Sequence, residues 1–267
     1  MAVLPPAPEP ASPPLPPPPE RGRPRFRGGL IVALVVVLIA AAAGGVVVAT
    51  GPDAPRGTFR FLDRTASGGP VRWNPCEPIH YAVNSANAQP EALEDLRGAI
   101  ARVSDATGLE FAYDGETRMT VGVQDHEGYF VTSQAGGHWL PVLVAWLPHD
   151  EFLSWATQGG AIAFGYPREG TGSLGGQYVS GLVVVDADAD LPPGFDSRFS
   201  EGLVLMHELG HLVGLAHVSD PNEVMFTSQA GPGNPLDDWG PGDREGLHEL
   251  GADGGCLRSA DSAFSGG

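Results

Sequence analysis

Positive charge is scarce in this chain and lysine is missing from it: 267 residues carry 15 basic side chains, all arginine, against 32 acidic ones, for a formal net charge of -17. The imbalance is unevenly placed. Four arginines face two glutamates before Leu30, whereas eleven arginines face thirty acids after Thr50, so the part that can fold stands near -19 (11 - 30). A surface of that sign repels phosphate backbones, which excludes nucleic acid as a partner. The lack of lysine matches the codon bias of a GC-rich genome and says little about activity. No internal repeat is present, which excludes a solenoid. Nor does the sequence carry a signal of oligomeric state.

Charge is also absent from Leu30 to Thr50, LIVALVVVLIAAAAGGVVVAT, a run of 21 residues. At about 1.5 Å per residue, a helix of that length crosses a hydrocarbon layer of about 30 Å. Arg21, Arg23, Arg25 and Arg27 precede it. By the positive-inside rule they stay in the cytoplasm and send everything after residue 50 outside the cell membrane. The expectation is a single-pass anchor. The alternative is a cleaved signal peptide ending at a small residue such as Ala49 or Ala54, which would make the protein secreted, but the run exceeds the usual apolar region of about 7 to 15 residues. Residues 1–29 then form a cytoplasmic tail, rich in proline at ten of its first nineteen positions, that favours an extended conformation and buries nothing. Residues 51–72 are expected to be a linker, too short for a folded inhibitory pro-domain. Residues 73–258 form one domain, and residues 259–267 form a disordered tail.

Within that domain PIHYAVN alternates as a strand does, and PEALEDLRGAIARVSDATG places Leu93, Leu96, Ile100 and Val103 on one helix face, with Pro90 at its start and Gly108 at its end. LEFAYDG reads as a second strand, and MTVGV as a short one. PVLVAWL (141–147) and GLVVVDAD (181–188) are apolar runs of the kind covered on both faces, while GAIAFGYP (160–167), closed by proline, suits an edge strand. Strands interleaved with helices predict an α/β or α+β sheet domain. Trp139, Trp146 and Trp155 read as core or rim packing.

The chemistry concentrates in HELGHLVGLAH, residues 207–217. Ser200 is a plausible cap for a helix through EGLVLMHELGHLVG, with Glu201 near the positive end of its dipole. His207 and His211 lie four apart, nearly one above the other, and can share one ion. Gly214 permits a left-handed turn that ends the helix, so His217 can supply a third nitrogen from another direction. Three protein ligands leave zinc an open position for water, the catalytic arrangement. Glu208 projects about 100° from His207 and can take a proton from that water without binding the metal. Five fixed positions (His207, Glu208, His211, Gly214, His217) weigh against a histidine-rich surface helix; chance would give them in only about one chain in ten thousand.

This stretch resembles the long zinc signature of the metzincin metallopeptidases, and two further features are similar to their matrixin branch. Met225, in SDPNEVMF, stands eight residues after His217, like the family's methionine turn beneath the metal; GDREGLHELG resembles the matrixin closing helix through Asp243 and Gly246. The resemblance covers residues 73–255. It implies a twisted, mostly parallel sheet of about five strands with an antiparallel edge strand, an active-site helix and a C-terminal helix. It implies zinc on His207, His211 and His217, Glu208 as general base and acid, Met225 as an apolar floor, and a peptide or protein substrate. That substrate would lie along the edge strand near Ala161 to Gly165, with selectivity from the loop between Phe226 and Trp239. The chain departs from the family where serine becomes Val218, where tyrosine and proline become Phe226 and Thr227, and where an aspartate becomes Gly242. The pattern that holds a second, structural zinc is also missing.

Cys76 and Cys256 flank the domain, and two cysteines in an exported chain most simply form one disulfide. The alternative, a thiolate capping the zinc as in a matrixin pro-segment, lacks its motif in NPCEP. His126, His138 and His149 read as surface histidines. Asp186, Asp188 and Asp190 could offer oxygens to a calcium ion, against a solvated acidic turn that caps the next helix. The chain is thus expected to be a membrane-anchored zinc endopeptidase; a displayed binding module without turnover and an amidase are the alternatives.

Overall fold

Strand β3 (Ile79–Asn84) lies between two parallel neighbours, β4 (Phe111–Glu116) and β5 (Val142–Leu147). β5 pairs parallel with β7 (Tyr178–Asp186), and the antiparallel edge strand β6 (Ala163–Glu169) closes the order β4-β3-β5-β7-β6. The mixed, mostly parallel five-stranded sheet is the architecture expected. The computed structural model describes residues 47–48, 57–121, 139–155, 161–227 and 237–258. A separate ladder pairs β1 (Val47–Val48) antiparallel with β2 (Thr58–Phe59).

β5 shows why its sequence is an unbroken apolar run. Val142, Val144 and Trp146 point into the larger core beneath the helices, and Leu143, Ala145 and Leu147 into a second cluster on the opposite face. Period-two alternation with both faces covered leaves no position for a polar side chain. Each buried Val or Leu among them contributes about 1.5–3 kcal/mol relative to exposure. The helical face carries α1 (Ala92–Thr107) and α3 (Glu201–Val213), closed by α4 (Pro241–Leu250); the other face carries α2 (His149–Trp155), whose Phe152 stacks on Phe164 at 5.3 Å. α1 starts at Ala92, two residues beyond Pro90, and ends where Gly108 takes a left-handed φ of 69° and donates to Ser104 O. The strand expected in MTVGV does not form over Met119–Val121, and the remainder lies outside the described residues, as do His126 and His138.

Residues 57–72 are not the linker expected. Phe59 and Phe61 alternate into the main core, 1% and 4% exposed, and Val71 joins them. Phe61 bridges to Leu215, and Leu62 N–H donates to Gly214 O. The Gly, Pro and Arg content of this stretch conceals a two-residue apolar repeat that needs only a few positions to anchor. Of the run Leu30–Thr50 only Val47–Val48 are described, as a strand; the proline-rich tail lies outside the described residues. Among the described residues no helix is long and apolar enough to cross a membrane.

The cysteines form the disulfide expected, Cys76–Cys256, with Cα atoms 5.4 Å apart. Trp146 is buried, with its indole N–H on Glu201 at 2.6 Å. Ser200 holds the N-cap position of α3, but its hydroxyl donates back to Ser197 O, so it makes no side-chain cap.

Candidate metal centre

Two glycines let α3 sit close against the sheet. A Cβ on Gly181 would overlap Leu212, and one on Gly165, across the ladder on the edge strand, would overlap the Glu208 carbonyl. We therefore expect Gly165→Ala to lower the thermal unfolding midpoint and cost about 3 kcal/mol or more, because two backbones must part rather than one side chain rotate. A denaturation midpoint unchanged from wild type would refute this close approach.

The helix stacks its first two imidazoles at a centroid separation of 4.9 Å. Gly214 adopts φ 120° and its N–H returns to Gly210 O and His211 O, closing α3. The chain then runs back under two clamps: Ala216 N–H donates to Arg60 O, and Val218 N–H to Met225 O. Between them His217 turns its Nε2 to within 3.1 Å of the Nε2 of both His207 and His211. His207 uses Nδ1 to donate to Val224 O and His211 uses Nδ1 to donate to Leu215 O. That choice of tautomer leaves both Nε2 atoms as lone pairs. Three nitrogens thus converge with at most one proton among them. Neutral lone pairs repel at this distance, so the arrangement asks for a cation at its centre.

Electrostatics agree with a ligand set. Burial, with a contribution from His217, pushes the His207 imidazole down to about 3; burial lowers His211 well below its usual value and His217 also. All three stay neutral, as metal ligation requires. For a tetrahedral ion with Zn–N of about 2.0–2.1 Å, ligand nitrogens stand about 3.3 Å apart, close to the separations found. The residues present fit zinc. Among the described residues these three histidines are the sole group of three or more His, Cys, Asp or Glu side chains with converging ligand atoms.

Glu208 is 7% exposed, next to His207 on α3. Burial raises its carboxyl to about 8, while the Gly165 backbone N–H, bonded to it, pulls the other way. That N–H is on the free edge of the sheet. Pro167, paired with Gly181, has no N–H to give β7; in a two-residue repeat Ala163, Gly165 and Pro167 therefore turn their backbone polar groups outward, the Gly165 N–H being the one that Glu208 takes. Met225 is buried, and a Cβ on Gly210 would press on its sulfur, so the methionine packs beneath the helix between the two ligand positions.

Asp186 and Asp188 of DADAD are tied to the neighbouring helix α2. Asp186 is buried and accepts from His149 Nδ1 at 2.6 Å and from the Asp188 N–H; Asp188 accepts the N–H of His149 at 2.9 Å. They cap α2, which precedes them, rather than the helix that follows. With these oxygens engaged, calcium is not shown. His149 is a surface histidine tied to this turn, and its bond to Asp186 raises its pKa.

Sequence alone missed the partners that orient the ligands, because backbone carbonyls carry no side-chain signal. It also missed Glu223. This residue is fully buried; its carboxylate accepts the N–H groups of Gly242 and Asp243 at 2.9 Å, at the positive end of α4. Asp243 reaches back to the N–H groups of Val224 and Met225. Gly242 stands where the resemblance expects an aspartate because a Cβ there would overlap the Thr58 backbone.

The family model described as matrixin matches residues 72–250. No curated protein matches the chain.

Proposed function

The chain belongs to the matrixin family, and from that premise we propose that it is a zinc-dependent endopeptidase acting on peptide or protein substrates outside the membrane. The observation that carries this is the convergence of His207, His211 and His217 through Nε2, with a buried carboxylate on the same helix. Zinc, when bound, supplies a Lewis acid and lowers the pKa of a coordinated water from about 15.7 to about 7. The chain's own residues do the rest. Val224 O and Leu215 O fix the imidazole orientation, so that the ligand nitrogens need no reorganisation. Glu208, held by the Gly165 N–H, takes the proton of the attacking water and delivers it to the leaving amine. The same strand edge offers the outward carbonyls of Ala163, Gly165 and Pro167 and the Ala163 N–H to an extended peptide, which would pair as an added strand. A strand-shaped site selects polypeptide over small amides.

The apolar run from Leu30, ending ahead of the strand Val47–Val48, would anchor this domain to the cell membrane with the arginine-rich side cytoplasmic, and a disulfide at the domain's ends suits an oxidising exterior. The test is direct. The zinc-loaded full chain should cut unfolded casein at internal bonds, with the sites mapped by mass spectrometry. Intact casein after prolonged incubation with fully metallated protein would overturn the proposal.

A further inference from the structure

Glu223 and Asp243 form a buried carboxyl pair on which the charge of Arg198 acts from a distance, without a side-chain hydrogen bond to either. Its guanidinium gives one nitrogen to Pro221 O and another to Glu223 O, both backbone acceptors. Asp243 Oδ2 takes the Val224 and Met225 N–H groups, while Oδ1 is buried and its carboxyl contacts that of Glu223. Both Glu223 oxygens already accept from the first turn of α4. Two acceptors face one another there; the Gly240 backbone N–H also bears on the Asp243 carboxyl, and a proton between the two carboxyls replaces the repulsion of their lone pairs by a hydrogen bond. The surroundings enclose the pair with backbone: a Cβ on Gly57, Gly240 or Gly242 would overlap Glu223 or the chain beside it. Three glycines from two distant segments make the space that Glu223 fills.

The peptide that Asp243 holds is also the one that orients the metal ligand, since Val224 N–H binds Asp243 and Val224 O receives the His207 Nδ1 proton. We propose that Glu223 and Asp243 share one proton and that this pair positions His207 through the Val224 peptide. Asp243 is the neutral partner: its Oδ1–H donates to ionised Glu223, which the α4 dipole and two N–H groups stabilise. Burial and the Glu223 charge push the Asp243 carboxyl up to about 8, in the same sense. Both are positioning residues, because neither touches the metal or the substrate.

The pair makes opposite demands on its two members. Asparagine imitates a protonated aspartate, donating from its amide nitrogen and accepting through its oxygen. Glutamine in place of Glu223 loses one of two oxygens that accept from α4. On the full chain, chelator competition should therefore show zinc bound about 10-fold or more weakly in Glu223→Gln and Asp243→Ala, whereas Asp243→Asn should hold zinc as the wild type does. In the cobalt-substituted protein the visible ligand-field bands should shift in the first two variants and stay in place in the third. Val103→Ala, a core change in α1, serves as the comparison for lost stability alone and should leave affinity and bands in place. Loss of zinc by Asp243→Asn equal to that of Asp243→Ala, wild-type affinity in Glu223→Gln, or equal zinc loss in Val103→Ala at matched stability would each overturn the proposal. The inference rests on the metal centre of the proposed function but not on turnover. Neither readout involves cleavage, so its outcome is separate from that with casein.

Discussion

Replacing Glu208 with alanine should lower turnover on a peptide substrate by about 10³-fold, within the 10²–10⁴ that general acid–base groups contribute, while zinc content stays at one ion per chain. The two halves of this expectation come from different features. The ligand nitrogens belong to three histidines that converge without Glu208, so removing the carboxylate leaves the ion's hold intact. Turnover falls because no other described carboxylate joins this group, and water then lacks a base and the departing amine an acid. Glu208→Gln separates proton transfer from packing: it preserves shape and can accept from the Gly165 N–H, yet its amide neither takes up nor releases a proton. It should be as inactive as the alanine variant, with thermal stability nearer wild type. A glutamine variant retaining more than a tenth of wild-type turnover at equal zinc content would show that this side chain is not the base.

How much of this was legible follows the length scale of each cause. The convergence of His207, His211 and His217 was legible because the group is built within eleven residues: helical geometry sets His207 above His211, and Gly214, at φ 120°, reverses the chain toward His217. The sheet was read from β5 and β7 because a strand buried on both faces has no choice but to be continuously apolar. What failed was non-local. Gly57, Glu223 and Gly240 acquire meaning only when residues from two ends of the domain touch. Phe59 and Phe61 look like linker aromatics until Leu215 pairs with that strand. Ser200 has the residue type of a cap, but a closer acceptor, Ser197 O, takes its hydroxyl. Gly242 looked like a lost aspartate; the structure shows that the carboxylate entered from the methionine turn instead, because Thr58 occupies the room an aspartate would need.

Removing the disulfide should produce the largest loss of stability. The bridge links residues 180 apart in sequence, and closing a loop of that size in the unfolded chain is worth about 5 kcal/mol in the chain-entropy model. Marginal stability of about 5–15 kcal/mol makes that a large fraction of the total. Two features of the folded state make the double change Cys76→Ser with Cys256→Ser a clean measure of it. Both cysteines are exposed, so serine leaves no cavity and no buried polar group. The same junction is also clasped without sulfur: Asn74 Oδ1 accepts the N–H groups of both Cys76 and Leu257, and Arg72 donates to Gly254 O and Gly255 O. The folded geometry should therefore persist, and nearly all of the change should fall on the unfolded ensemble. Equilibrium denaturation of the double variant, under conditions where wild type unfolds reversibly, should show a lower midpoint and a larger dependence on denaturant, since an uncrosslinked chain exposes more surface. Zinc content under native conditions should be unchanged. A loss below about 1 kcal/mol would mean that the unfolded chain already keeps its ends together, and the entropic account of this bridge would then have to be given up.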